Sequence, residues 1–311
     1  MPSVTVHAPA TVANLVCGFD ILGLALDNPN DLLTLSLSST PGIRLVHTDN
    51  FGLPTDPQKN IVGVVLMAII KHIGNNSLGF DAEITKIIKP GSGLGSSAAS
   101  AAATAVAANY LLGEPFSKTQ LVEFAMEGEM LAGGSKHADN VAPCIYGGIT
   151  LVRSTFPLDI VSIPYPPLYI AAVHPQIELK TADARQILRQ ELSLKEAVVH
   201  WGNVAGLVTG LHQGNYDLIG RSLQDHLVEP RRSLLIPLFD TIKTDSINAG
   251  ALGGGISGSG PSMFMLCKTP EIAQSVCLIM KNHYQNINLN ALTYCTQINN
   301  KGVTIVNPHC S

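Results

Sequence analysis

The segment Lys89-Pro-Gly-Ser-Gly-Leu-Gly-Ser-Ser-Ala-Ala-Ser100 constrains this chain more than any other. A strand pattern, Phe80–Ile87, runs into it, and an alanine-rich helical stretch, Ala98–Leu112, leaves it. Three glycines remove side chains where a backbone must approach a ligand closely. Ser96 and Ser97 can cap the helix or offer hydroxyls. The helix N-terminus then presents free N–H groups and about half a positive charge to an anion. Ala98, Ala99 and Ala101–Ala103 let the helix sit tightly against its neighbours. A polyphosphate suits such a loop. It is not a Walker A loop, because no Lys follows the glycines. Gly93-Leu-Gly-Ser-Ser-Ala98 satisfies the dinucleotide fingerprint, but Gly113-Glu-Pro115 and a capped helix stand where that fold needs a second strand with an acidic end. A protein-kinase glycine loop is excluded by the lack of HRD and DFG downstream.

The rest of the chain bounds the answer further. Its 311 residues fit one large domain or two ordinary ones, and 46% hydrophobic content excludes a disordered chain. Charged residues are only 14%, which raises the question of a membrane. The longest apolar run, Ile61–Ile70, is ten residues interrupted by Gly63, against the roughly 20 that a spanning helix needs. No membrane segment is expected. A net charge of −4, no basic run and one Trp leave no nucleic-acid footprint. Met1-Pro-Ser-Val-Thr-Val enters a strand pattern at once, so no targeting peptide is expected and a cytoplasmic location is. Cysteines 17, 144, 267, 277, 295 and 310 include no CxxC pair, in keeping with free thiols.

Period-2 patterns predict strands over Val4–His7, Leu33–Leu37, Ile43–His47, Phe80–Ile87, Gly148–Val152, Asp159–Ile163, Leu168–Val173, Ser262–Leu266, Leu292–Gln297 and Val303–Val306. Asn60 caps a helix over Ile61–Ile73 that Gly74 closes. Capping boxes Ser117/Gln120 and Ser193/Glu196 open helices to about Ala132 and His212. Further helices are expected near Tyr216–His226 and from Thr269-Pro270 to about Tyr284. Strands and helices alternate without a steady βαβ rhythm, so an α+β class is expected, divided into residues 1–153 and 154–311.

Three ordered motifs give the chain a family resemblance. Ile88-Lys-Pro-Gly-Ser-Gly-Leu-Gly-Ser-Ser-Ala-Ala99 resembles the ATP-binding signature of the galactokinase, homoserine kinase, mevalonate kinase and phosphomevalonate kinase (GHMP) superfamily. Ala8-Pro-Ala-Thr-Val-Ala-Asn-Leu-Val-Cys-Gly-Phe-Asp20, with Leu22-Gly-Leu-Ala25, and Leu252-Gly-Gly-Gly-Ile-Ser-Gly-Ser-Gly-Pro-Ser262 resemble its other two motifs. The resemblance implies a ribosomal-S5-domain-2-like N-terminal domain that binds ATP, a ferredoxin-like C-terminal domain, and ATP and substrate between them. Four segments are similar to the homoserine kinase branch: Asn14 with Gly18-Phe-Asp20; Glu129 with Gly134-Ser-Lys-His-Ala-Asp-Asn140-Val-Ala-Pro143; Lys180-Thr-Ala-Asp-Ala-Arg185; and Glu229-Pro-Arg-Arg232. A galactokinase-type sugar segment is missing, and Asn140 stands where mevalonate-type members place an aspartate.

That branch implies phosphorylation of the side-chain hydroxyl of L-homoserine by MgATP, on the way to threonine. Arg185 and Arg232 suit the α-carboxylate as bidentate donors. Arg231 beside Arg232 keeps that choice open. Asp20 suits the ammonium, Asn14 and Asn140 bond donors or acceptors, and His137 lies close by as a positioning residue, not a base. Glu129 and the Ser97 hydroxyl suit Mg²⁺, with Glu123 and Glu127 as solvent-facing neighbours. The nucleotide falls to the loop from Lys89, Pro90, Gly91, Ser92, Gly93, Leu94, Gly95, Ser96 and Ser97 to Ala98 and Ala99. By resemblance Lys86 lies near the nucleotide, Asn60 near the base, and Thr181 near the transferring phosphoryl. Gly253–Pro261 is either a support for the phosphate loop or a plain glycine turn. A homodimer is expected. The rival readings are another GHMP small-molecule kinase and a noncatalytic ligand sensor on the same fold.

Overall fold

The computed structural model describes residues 1–177, 179, 181–189 and 191–309, with backbone only at 181–183 and 307–309. In chain order the elements are β1 (Ser3–Ala13), β2 (Leu22–Ser38), β3 (Gly42–His47), α1 (Ile61–Ile73), β4 (Gly79–Thr85), α2 (Ser96–Leu111), α3 (Lys118–Gly133), α4 (Val141–Tyr146), β5 (Ile149–Thr155), β6 (Leu158–Ile163) and β7 (Tyr169–Pro175). Then follow α5 (Thr181–Gln186), α6 (Leu194–Gln213), α7 (Tyr216–Ser222), α8 (Glu229–Arg232), α9 (Phe239–Asn248), β8 (Gly253–Ile256), β9 (Met263–Cys267), α10 (Pro270–Asn286), β10 (Ala291–Gln297) and β11 (Thr304–His309).

Seven strands form the first sheet, in the order β11-β1-β2-β4-β3, with β5 on β2 and β6 on β5. Its residues alternate as a half-buried sheet requires: Val4, Val6, Leu33 and Leu35 face the core. Each such burial is worth roughly 1.5–3 kcal/mol. Helices α1, α2 and α3 cover that face. Helix α2 has almost no polar stripe, and its alanines from Ala98 to Ala108 are buried among β1, β2 and the flanking helices.

The second sheet is antiparallel throughout, in the order β10-β7-β9-β8. Numbered within the unit, that is 4-1-3-2, the ferredoxin-like arrangement. Both faces are buried. Ala171, Val173, Met263 and Met265 join Ile242, Val276, Met280 and Tyr284 under α9 and α10. Ile170, Ala172, Phe264 and Leu266 face the larger core, which also takes Leu207 and Leu211 of α6.

The expected elements are present, with informative departures. β1 and β2 extend well beyond the predicted strands, to Ala13 and back to Leu22. Pro9 and Pro29 interrupt their patterns, and the pairing shifts register between Pro9 and Thr11. β8 is all glycine and isoleucine and carries no alternating pattern. The helix near Tyr216–His226 stops at Ser222. Residue 153 lies inside β5, and β6 and β11, from beyond it, pair within the first sheet. Among the described residues five cysteines are free thiols; Cys310 lies outside them. No helix of the described residues is long and apolar enough to cross a membrane.

Candidate active site

A cavity of about 520 Å³ opens where the glycine loop, α3, the α3–α4 loop, α5, α8 and the glycine turn after β8 meet. The loop reaches it through three left-handed glycines, Gly91, Gly93 and Gly95, at φ of 73°, 81° and 67°. Gly95 is the N-cap of α2. A Cβ there would lie 1.9 Å from Thr11 Oγ1, so the close approach of β1 admits glycine only. The amides of Ser96, Ser97 and Ala98 sit in the first helical turn and have no intrahelical acceptor. Three expected phosphate donors are instead spent internally. The Ser92 amide bonds Lys89 O at 3.2 Å, Leu94 N bonds Ser92 Oγ at 3.2 Å, and Ala99 N bonds Gly95 O at 2.9 Å. Ser92, Leu94, Ala98 and Ala99 are buried and shape the loop from behind.

The Gly253–Pro261 turn holds this loop from the other side. Ser257 Oγ donates to Gly93 O at 2.7 Å and Ser262 N to Ser92 O at 3.2 Å. That favours the supporting role over the plain turn. Lys86 lines the cavity, but its ammonium is consumed by a buried ion pair with Asp31 and by bonds to Ser96 O (2.7 Å) and Ser100 Oγ (2.8 Å). It braces the start of α2. Asp31 also accepts from Ile87 N and Ile88 N at 2.7 and 2.8 Å. Asn60 caps α1 through Val62 N and donates to Pro54 O and His47 Nε2. Leu53 and Ile61, not Asn60, reach the cavity wall. Lys89 donates to Gln176 Oε1 at 2.9 Å at the end of β7.

Glu129, on α3, lines the cavity together with Ser97 of the glycine loop, whose hydroxyl is near enough to favour the charged carboxylate. Its Oε1 is sealed from water and has no partner. Burial pushes the carboxyl up to about 7, against the pull of Ser97 and of Lys86. An orphaned carboxylate oxygen beside a hydroxyl, at the foot of a phosphate loop, fits a divalent cation that takes its remaining ligands from phosphate and water. Among the described residues no cluster of three or more His, Cys, Asp or Glu could hold a metal without such help.

The same cavity also carries a cluster of charged and amide side chains. β1 is followed by Asn14, Leu15 and Val16, at φ of 73°, 40° and 68°, a left-handed run that L residues rarely adopt. It turns the chain so that Asn14 and Asp20 line the cavity. Asn14 is fixed by Gly258 O (2.9 Å) and by Asp20 N (3.1 Å). Arg185 Nη2 bonds both oxygens of Asp20, at 3.0 and 3.2 Å. Arg232 is only 3% exposed and donates to Ala184 O and Gly258 O, whereas Arg231 is exposed. Arg232 is the arginine of that pair that lines the cavity. Burial, then the nearby Arg185, lowers its pKa. Burial likewise holds His137 below the usual histidine value, so the ring is neutral near pH 7; its Nδ1 lies 3.7 Å from Asp20. Asn140 Oδ1 accepts from Thr11 Oγ1 at 2.7 Å, which leaves Nδ2 as its donor toward the cavity. Thr181 opens α5; its side chain and Lys180 lie outside the described residues.

Three functional neighbours escape sequence reasoning. Thr11 orients Asn140, Asp31 anchors Lys86, and Asp139 lines the cavity while only 5% exposed. Burial, with the carboxylates of Asp20 and Glu129, pushes Asp139 up to about 7. Thr11 and Asp139 stand inside quoted motifs, but Asp31 carries no local signal.

An anion cradle, a carboxylate–hydroxyl pair and an amino-acid clamp in one cavity define a nucleotide-dependent small-molecule phosphotransferase. The model of the GHMP kinase N-terminal domain matches residues 60–148, and that of the C-terminal domain residues 207–286. A homoserine kinase from Chloroherpeton thalassium is 44% identical, over 98% of this chain and 100% of its own. One from Chlorobium phaeovibrioides is 47% identical, over 88% and 90%. A crystal structure of homoserine kinase from Cytophaga hutchinsonii superposes with a TM-score of 0.94 at 49% identity, covering 98% of this chain and 97% of that one. The chain belongs to the homoserine kinase family of the GHMP kinases.

Proposed function

We propose that this chain transfers the γ-phosphoryl group of MgATP to the side-chain hydroxyl of L-homoserine, giving O-phospho-L-homoserine, a step toward threonine. The observation that carries the reading is one cavity lined both by the amide cradle and by Asp20, Arg185 and Arg232. The triphosphate lies along the Gly91–Ser97 loop, its charge met by Gly95, Ser96, Ser97 and Ala98 and by the α2 N-terminus. Lys86, Lys89, Ser92, Leu94 and Ala99 hold that cradle in shape, and Asn60 fixes the helix that carries Ile61 into the wall. Mg²⁺ on Glu129 and Ser97 supplies charge neutralisation at the phosphates when bound.

At the acceptor end, Arg185 and Arg232 bind the α-carboxylate and Asp20 the ammonium, with Asn14 and neutral His137 closing the wall. Asn140 Nδ2 donates to the acceptor oxygen and holds it in line, and Thr181 opens the helix facing the transfer. Phosphoryl transfer passes through a loose transition state, so such positioning supplies most of the acceleration. The same reading takes the seven-stranded sheet with α1–α4 as the nucleotide part and the four-stranded sheet with α9 and α10 as the second part, a homodimer as the assembly and the cytoplasm as the compartment.

The test is ADP release with MgATP and L-homoserine, L-serine, L-threonine, mevalonate or galactose. The expected result is strong turnover with L-homoserine alone. Arg232→Ala should raise its KM by roughly 30-fold or more, the loss of a charge-assisted pair of about 2–3 kcal/mol. Turnover on mevalonate or galactose overturns the substrate; tight ATP binding without turnover on any of the five overturns the enzyme.

A further inference from the structure

We propose that Phe19 is the positioning residue of the carboxylate clamp, its ring face holding the Arg185 and Arg232 guanidiniums side by side for one substrate carboxylate. The inference deepens the homoserine reading and rests on it. The Cζ atoms of Arg185 and Arg232 lie 5.5 and 5.2 Å from the Phe19 ring centroid. The two arginines come from different elements, α5 and α8. Two cations converging on one point repel each other, and a buried one is costly unless something compensates it.

Arg185 has Asp20 as its counter-ion. Among the described residues Arg232 makes no ion pair; its named partners are the carbonyls of Ala184 and Gly258. The negative face of an aromatic ring attracts a guanidinium without occupying its N–H donors. A carboxylate in place of the ring would hold the arginines as well, but it would also take the donors meant for the substrate. A ring therefore holds the two guanidiniums without taking any further N–H donor from either.

Phe19 does not line the main cavity. It borders a much smaller one, with Asn14, Asp225, Val228, Glu229 and Arg232. It therefore acts through the arginines and touches no substrate. The backbone separates it from its neighbour: Asp20 sits at φ of 61°, and its carboxylate meets Arg185 in the main cavity. One dipeptide thus gives the clamp its anion and its π face.

The full-length enzyme tests this with L-homoserine and with 3-aminopropanol, the same amino alcohol without its carboxylate. Phe19→Leu keeps an apolar side chain and removes the π face. It should raise KM for L-homoserine about tenfold, the size of two partly desolvated cation–π contacts. KM for ATP and kcat should stay within about twofold. The preference in kcat/KM for L-homoserine over 3-aminopropanol should fall by the same factor of about ten, and Phe19→Tyr should restore it. If Phe19→Leu does not fold, Phe19→Met is read in its place. A leucine or methionine variant with wild-type preference, or a tyrosine variant as impaired as leucine, overturns the role of Phe19. A wild-type enzyme with no preference for L-homoserine over 3-aminopropanol overturns the homoserine reading itself.

Discussion

Asp139 shows what a single buried carboxyl costs this protein. Its folded-state pKa stands at about 7, raised first by burial and then by Asp20 and Glu129, whereas an unfolded Asp titrates near 3.9. Between about pH 4 and 7 the folded chain binds the extra proton. Stability therefore falls as pH rises through that window and levels off above it. Asp139→Asn cannot ionise, so its stability relative to wild type should grow with pH, by on the order of 2–4 kcal/mol in all. His174, pushed down to about 4 by burial and by Lys89, has the opposite sign between about pH 4 and 6.5. It is present in both proteins and cancels in the difference. Thermal melts of both proteins from pH 5 to 8 read the effect, and a pH-independent difference sinks it. Residues of this kind mark the limit of sequence reasoning. Asn140, Glu129 and the two arginines are legible because their chemistry stands in motifs. Asp31 meets Lys86 across 55 positions, and Thr11 meets Asn140 across 129, so only the folded chain brings them together.

Elements were legible wherever a local rule fixes them. The Ser117/Gln120 and Ser193/Glu196 capping boxes form as expected, and Gly74 closes α1 in the left-handed conformation. Where tertiary contact decides, the pattern is silent. β8 is a strand because β9 pairs with it, and the long arms of β1 and β2 pass through prolines by shifting register. The start of α2 shows both influences. Its glycines announce a ligand loop, but only the fold shows which of them leaves no room. Gly113 and Gly95 share a left-handed backbone, at φ of 82° and 67°, yet a Cβ on Gly113 meets nothing within 4 Å. Gly113→Ala should cost only the conformational penalty of about 1–2 kcal/mol. Gly95→Ala must in addition displace Thr11 and the Asn140 side chain bonded to it. Its kcat/KM should fall on the order of 100-fold, as when one preorganised transition-state donor is lost. Steady-state kinetics of the two variants separate strain from site disruption, and equal activity losses contradict the assignment.

At the scale of the molecule, the two sheets are built from interleaved stretches of chain, which composition could not reveal. The last described strand returns across the whole protein to pair with the first, Ser3 opposite His309 and Val6 opposite Ile305. β11 thereby covers an edge of β1 whose N–H and C=O groups would otherwise stand open beside the buried Val4 and Val6. Among the described residues, none that lines the main cavity lies beyond Ser259. Deleting residues 304–311 should therefore damage stability and leave the site intact. Losing the ladder of a short strand costs on the order of 3 kcal/mol at about 0.5–1.5 kcal/mol per hydrogen bond, and the open edge invites association with other chains. The melting temperature should fall and light scattering should rise with protein concentration. MgATP at about 100 times its Kd should still stabilise the shortened chain by about 2.7 kcal/mol, as it does the full one. A shortened chain that melts like the wild type would make β11 dispensable. One that folds but gains nothing from MgATP would tie the terminal strand to the site itself, by coupling through β1 to Thr11, Asn14 and the glycine loop bonded between them.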